Sequence, residues 1–264
     1  MNRFASARRV VVKVGTTTLT HGSGLLNYRR LERLVKTLAD LKNSGKEIVL
    51  VSSGAIGVGM GELGLSARPQ DMPTKQACAA VGQCELMYTY DKLFGEYNHS
   101  VAQILLTRED IVPGKRRGNA ANTFQRLLEF GVVPIVNEND TVSTEEIEIG
   151  DNDTLSAVVA TLIGADALVL LSDIDGLYTA NPKEDPTASL IPVVEDVDAV
   201  MSLGGGSSSI FGKGGMATKL HAAQTACSAG VDMAIINGSD PTLLYRLFDG
   251  EDIGTYFVGR KQDV

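Results

Sequence analysis

The chain contains no tryptophan, and aromatic residues make up only 5 % of its 264 positions. A protein that grips single-stranded nucleic acid needs more aromatic faces on which bases can stack. Excess positive charge is also missing: the formal net charge is −8, the wrong sign for a phosphate-backbone binder. These shortages exclude nucleic acid as the main partner. The three cysteines, Cys78, Cys84 and Cys227, are odd in number and match no zinc or CxxC spacing. They read as reduced thiols packed in the core of a cytosolic protein. Between Arg9 and Lys13 stand only three apolar residues, too few for a signal-peptide core, and no run approaches a membrane span. The expectation is a soluble, cytoplasmic protein without a membrane partner.

Two further absences narrow the chemistry. No nucleophile elbow is present, and none of His21, His99 and His221 falls within a candidate site loop. Two glycine motifs fail on spacing. Gly59-Met60-Gly61-Glu62-Leu63-Gly64 is a literal G-x-G-x-x-G, yet the strand before it stops near Ser52, so its first glycine cannot sit where a dinucleotide fold requires it. A nicotinamide oxidoreductase is therefore a distant reading. The stretch Gly206–Gly212-Lys213 has one residue too many for a P-loop and continues with Gly214 where Ser or Thr should hold magnesium.

What is present is an alternation of short apolar runs and helical spacings. Strands are expected over Arg9–Val14, Glu47–Val51, Val101–Leu106, Val132–Val136, Ala167–Leu171 and Val231–Ile236. Helices are expected over Tyr28–Asn43, Thr74–Tyr97, Ala120–Phe130, Thr154–Ile163 and Met216–Ala229, with Gly45, Gly131 and Gly230 as terminating glycines. Ser143–Ile149 alternates and reads as a half-exposed hairpin strand. Gly204–Ser209 and the basic run Lys115-Arg116-Arg117 read as loops. Continuously apolar strands between helices predict an α/β protein: a three-layer α/β/α sandwich around a mostly parallel sheet. No linker composition appears, so residues 1–264 read as one domain.

In open α/β sheets, ligands sit beyond the carboxyl ends of the strands. Five polar loops occupy such positions: Lys13, Gly15 and Thr16; Ser52-Ser53-Gly54-Ala55; Asn137-Glu138-Asn139-Asp140; Gly150-Asp151-Asn152-Asp153; and Ser172-Asp173-Ile174-Asp175-Gly176. Any one of them reads equally as a cap or a turn. Together they define a site. A second glycine-rich segment, Gly212–Lys219, adds another lysine near a helix start. Two lysines amid glycine N–H groups suit a polyphosphate. The lack of a histidine base suits an acceptor that is itself a carboxylate, already ionised at neutral pH. Asp153 either orients the two lysines or caps a helix.

These segments resemble the amino acid kinase family. The carriers are Val12–Thr16, Val51–Ala55, Ala79-Ala80-Val81-Gly82-Gln83, Asn137–Asp140, Gly150–Asp153, Leu171–Thr179 and Gly214–Lys219, and the likeness runs from about Arg9 to about Gly254. The Asn-Glu-Asn-Asp and Gly-Asp-Asn-Asp pair is the most specific part. The resemblance implies phosphorylation of the side-chain carboxylate of L-glutamate by ATP with Mg2+, giving L-glutamyl 5-phosphate, the first step of proline biosynthesis. Related acceptors such as acetylglutamate, aspartate, carbamate or a nucleotide are the alternative. By position, Lys13 and Lys219 would flank the transferred phosphoryl group and Asp153 would organise them. Glutamate would be held by Ser53, Gly54, Asn137, Asp140 and Asn152. The nucleotide would lie against Lys13, Gly15, Ser172, Asp173, Lys213, Gly214, Gly215, Met216, Ala217, Thr218 and Lys219, and the metal would ride on ATP oxygens rather than in a protein cage. Two positions depart from the family habit. Ser172 stands where Thr is common, and Lys213 where an uncharged residue is. The resemblance further implies a single kinase domain without the C-terminal PUA module of many relatives. It also implies proline as a feedback inhibitor and a dimer or tetramer built through the helix around Gln83–Tyr97.

Overall fold

The computed structural model describes residues 3–142, 152–204 and 215–260. The valine run Arg9–Val14 forms β1. It is followed by the short helix α1 (Thr16–Leu19), α2 (Tyr28–Asn43) and β2 (Glu47–Ser52). Next come α3 (Ala55–Glu62), α4 (Met72–Gly95), β3 (Val101–Leu106), α5 (Arg108–Ile111), α6 (Lys115–Glu129) and β4 (Val133–Glu138). The chain continues with α7 (Asn152–Leu162), β5 (Ala167–Ser172), β6 (Val193–Val194), α8 (Met216–Ser228), β7 (Asp232–Asn237), α9 (Leu243–Phe248) and β8 (Thr255–Phe257). The strands make one eight-stranded sheet in the order β3-β4-β2-β1-β5-β7-β8-β6. Only β8 against β7 is antiparallel. The sheet is therefore mostly parallel, as expected.

Alternation along β1 shows why there are three layers. Val10, Val12 and Val14 face one core with Leu31, Leu34 and Leu38 of α2, Tyr90 and Phe94 of α4, and Leu244 of α9. Val11 faces the other with Phe124 of α6, Leu155 and Val159 of α7, and Leu220 of α8. Burying each such side chain contributes about 1.5–3 kcal/mol, so both helix layers are held mainly by apolar area.

Register then sets the site. Strand β1 pairs with β2 from Arg9↔Glu47 to Val14↔Ser52 and with β5 from Val10↔Ala167 to Val14↔Leu171. Val51 of β2 lies opposite Val136 of β4. Lys13, Ser53, Asn137 and Ser172 therefore emerge within two residues of one another along one edge of the sheet. The chain runs from β1 to β2 on one side while β5 lies on the other, which makes the end of β1 a topological switch point where ligands collect.

Several local expectations change. The helix expected to begin at Ala120 begins at Lys115, so Lys115–Arg117 is a solvent-facing helical turn and not a loop. Arg116 is held there by Glu109 and Asp110. The helix expected over Thr74–Tyr97 is shifted to Met72–Gly95, with Asp71 accepting from the Thr74 amide as its cap. Cys78 and Cys227 are buried, but Cys84 is exposed on α4. Gly59 and Gly61 belong to α3, a helix not foreseen, and Gly64 follows its end; Gly59 serves packing on α4, since a Cβ there would lie 1.8 Å from the Cys78 carbonyl oxygen, and one on Gly82 of α4 would lie 1.9 Å from the Ala55 oxygen. Gly45, Gly131 and Gly230 end their helices at φ 98°, 70° and 83°, as the terminator reading requires. The expected hairpin strand Ser143–Ile149 lies outside the described residues, as does the expected loop Gly204–Ser209 apart from Gly204, which ends a 3-10 helix begun at Asp198.

Candidate active site

Three charges, two buried and one partly buried, meet at the carboxyl end of the sheet. β1 presents Lys13, the first turn of α7 presents Asp153, and the first turn of α8 presents Lys219. Lys13 Nζ is 2.7 Å from Asp153 Oδ1, and Lys219 Nζ is 2.9 Å from Asp153 Oδ2. The Lys219 contact is a hydrogen bond. The Lys13 contact is a close ion pair outside hydrogen-bonding angles, so its attraction is coulombic. Side-chain exposure is 12 % for Lys13, 7 % for Lys219 and 1 % for Asp153. Burial alone would raise the Asp153 carboxyl, but Lys13 and Lys219 outweigh it and hold the group below the usual carboxylate range. Two ammonium groups against one carboxylate leave an excess positive charge in a poorly hydrated place. The N-termini of α7 and α8 add to it.

Beside this cluster runs a neutral chain of amides. Asn152 Nδ2 donates to Ser53 Oγ at 2.9 Å, to Asn137 Oδ1 at 2.9 Å and to the Ser52 carbonyl at 3.2 Å. Asn137 Nδ2 donates to Gln83 Oε1 at 3.0 Å. Tyr90 and Ser52 share a buried hydroxyl pair at 2.9 Å. Asp140 lies half-buried near Glu138. Burial, and secondarily the Glu138 charge, push its carboxyl up to about 6. A carboxyl in that condition gains from a cationic ligand.

The amino acid kinase family profile matches residues 8–237. The chain belongs to the amino acid kinase family. Within it, the chain is 50 % identical over 260 residues to the glutamate 5-kinase of Clostridium perfringens, covering 97 % of both proteins. It is 49 % identical over 263 residues to that of Listeria monocytogenes, covering 98 % of this chain and 95 % of the other. Against the glutamate 5-kinase of Carboxydothermus hydrogenoformans it is 52 % identical, covering 97 % of this chain and 69 % of the relative. Solved structures share the fold at low identity. UMP kinase from Bacillus anthracis superposes with a TM-score of 0.66 at 17 % identity, covering 96 % of each chain. An isopentenyl phosphate kinase superposes at 0.67 and 17 %, covering 95 % of this chain and 100 % of the other.

In this amino acid kinase, most of the residues expected at the site do converge. Lys13 and Lys219 each touch Asp153, and Ser53, Asn137 and Asn152 form one network. Gly54 adopts φ 105° as the N-cap of α3, which turns the chain from β2 into that helix. Ser172 is buried at the end of β5, and its hydroxyl meets Asp173, which is exposed. Gly215 caps α8, and Met216, Ala217, Thr218 and Lys219 form its first turn. Thr218 Oγ1 bonds the Gly215 carbonyl at 2.8 Å and reaches Asp153 Oδ2 at 3.3 Å. Lys213 and Gly214 lie outside the described residues. The sequence placed Ser52 only within a strand-end loop and Gln83 and Tyr90 only on a helix expected to make an oligomer contact; none was expected as a partner in this network. Gln83 and Tyr90 are seven residues apart on α4, a spacing that places both on the helix face toward the sheet.

Proposed function

We propose that the chain is a glutamate 5-kinase, transferring the γ-phosphoryl group of ATP to the side-chain carboxylate of L-glutamate to give L-glutamyl 5-phosphate and ADP. The observation that carries this is the ion triad: one buried carboxylate gripping a buried and a partly buried lysine from opposite ends of the chain, beside a row of amides and one carboxyl. The acceptor carboxylate is ionised and needs no base. What opposes the reaction is repulsion between two anions, and fixed positive charge in a dry site opposes that repulsion most in the transition state. Lys13 and Lys219 supply the charge, and Asp153 holds them at a fixed separation. Ser53, the turn at Gly54, Asn137 and Asn152 hold the glutamate. Asp140 takes its α-ammonium. That last role favours free glutamate over acetylglutamate, whose nitrogen carries no charge.

The nucleotide lies along Ser172, Asp173 and the start of α8, with Lys213 and Gly214 preceding it. Magnesium, carried on the phosphate oxygens, screens the polyphosphate charge. Among the described residues no cluster of three His, Cys, Asp or Glu side chains is arranged to hold a metal unaided. Among the same residues no helix is long and apolar enough to cross a membrane. We place the enzyme in the cytoplasm and read residues 1–264 as one kinase domain. We further read it as a homo-oligomer inhibited by proline. Exposed Val81 and Tyr88 on α4, with Tyr97 just beyond it, favour contact through that helix. The test is ADP release by the purified chain with glutamate, aspartate and acetylglutamate offered in parallel. Glutamate-dependent release is expected, and its absence would overturn the proposal.

A further inference from the structure

The amide chain has a direction, and obligatory backbone groups impose it. The Glu138 N–H can only donate, and it donates to Asn137 Oδ1 at 2.9 Å. The Ser52 carbonyl can only accept, and it accepts from Asn152 Nδ2. These two contacts decide which atom of each asparagine is oxygen and which is nitrogen. Asn137 must then present Nδ2 to Gln83, and Gln83 must answer with Oε1. Asn152 spends its N–H groups on Ser52, Ser53 and Asn137, which leaves Oδ1 as its acceptor. Among the described residues that atom takes no hydrogen bond.

We propose that Gln83 is a positioning residue for the acceptor: its carbonyl locks the Asn137 amide, and through it Asn152, in the orientation that offers an acceptor to the substrate ammonium. Three features support this. Gln83 is 8 % exposed and Asn137 2 %, so water has little access to substitute for the contact. The backbone approach at Gly59 of α3 and Gly82 of α4 seats α3 against α4 one residue from Gln83, where no larger residue would let the helices meet. Tyr90, further along the same face, bonds Ser52, so α4 is tied to the ends of β2 and β4 by polar contacts. Without Gln83, the Asn137 Nδ2 would be left buried and unpaired, and rotation of the amide would become the alternative. Rotation would then set like groups of Asn137 and Asn152 against each other.

The inference rests on the reading of this site as a glutamate pocket, so wild-type turnover is measured first; no glutamate-dependent turnover defeats that reading and leaves the orientation argument to a glutamate-free measurement. Gln83→Met keeps length and apolar volume but removes the acceptor. The expected result is a rise in the glutamate KM of about tenfold with kcat within about twofold, the size of one lost hydrogen bond. In an Asn137→Ala background the same substitution should add almost nothing, because its path is gone. If the Gln83→Met effect persists undiminished in that background, or falls on kcat with KM unchanged, the proposal is overturned. The glutamate-free measurement is the thermal stability cycle of the same variants. Coupling between positions 83 and 137 is expected there too, and full additivity counts against the link.

Discussion

The two sides of the candidate site are built from opposite materials. On one side Lys13 and Lys219 are full charges 2.7 and 2.9 Å from the two oxygens of Asp153, and little water reaches them. On the other, Asn137, Asn152, Ser53 and Gln83 are neutral dipoles joined donor to acceptor, with Asp140 the nearby carboxyl. The contrast teaches what each side can contribute. Charges in a dry site act most strongly where charge builds up, so the ion triad belongs to the transition state. Oriented amides discriminate shape and donor pattern, so the amide chain belongs to recognition of the bound acceptor.

The first way to break this contrast is Lys219→Ala. It should lower kcat on the order of a hundred- to a thousandfold while the glutamate KM moves little, as read from initial rates. A comparable loss in KM alone would assign Lys219 to recognition and erase the division. Asp153→Asn leaves two ammonium groups without a counter-charge. Unfolding by urea should show a loss of about 3 kcal/mol, and activity should fall with it. Unchanged stability would mean that solvent already screens the triad.

Asp140→Asn should act on the other side, raising the glutamate KM roughly thirtyfold with kcat largely kept, the scale of a charge-assisted contact. The same carboxyl predicts a pH dependence. Only its ionised form pairs with the α-ammonium, and its value of about 6 means that kcat/KM for glutamate should decline as pH falls through about 6. Bound glutamate favours the ionised form, so kcat at saturation should hold to lower pH. In Asp140→Asn this acid limb should be absent from the profile. The smallest expected effect is at Cys84, next to Gln83 but exposed on the outer side of α4. Cys84→Ser should leave kcat, KM and stability unchanged within about 0.5 kcal/mol. A clear KM change there would show that the whole helix, and not its inward face, governs recognition.

Much of this organisation was visible without coordinates. Strands such as Arg9–Val14 and Ala167–Ser172 are continuous apolar runs because both faces are covered, and α2 carries its leucines at helical spacing. The polar residues that follow the strands were legible as a site because strands of a parallel sheet end on one edge. Helix α3 was not legible: four of the five residues from Ala55 to Gly59 are glycine or β-branched, poor helix formers, and its stability comes from packing on α4 through Gly59 and Gly82. Gln83 was hidden for a related reason. Nothing local distinguishes a glutamine that faces solvent from one that meets an asparagine 54 positions away. The early start of α6 was missed because Lys115–Arg117 is held by ion pairs with Glu109 and Asp110, contacts that no apolar periodicity reports.

By itself, the sequence determined the layering, the parallel strands, the edge of the sheet that carries the chemistry and the two lysines that suit a phosphoryl group. These are properties of local pattern: apolar spacing, glycine terminators and polar residues after strands. The tertiary structure decided which of those residues meet. Asp153 could have been a helix cap until β1 and α8 brought Lys13 and Lys219 to its two oxygens. The orientation of Asn152 waited on Ser52, Asn137 and Gln83, which come from three different elements. Hydrogen-bond direction and net charge in a buried cluster depend on all the partners at once, and only the folded chain assembles them.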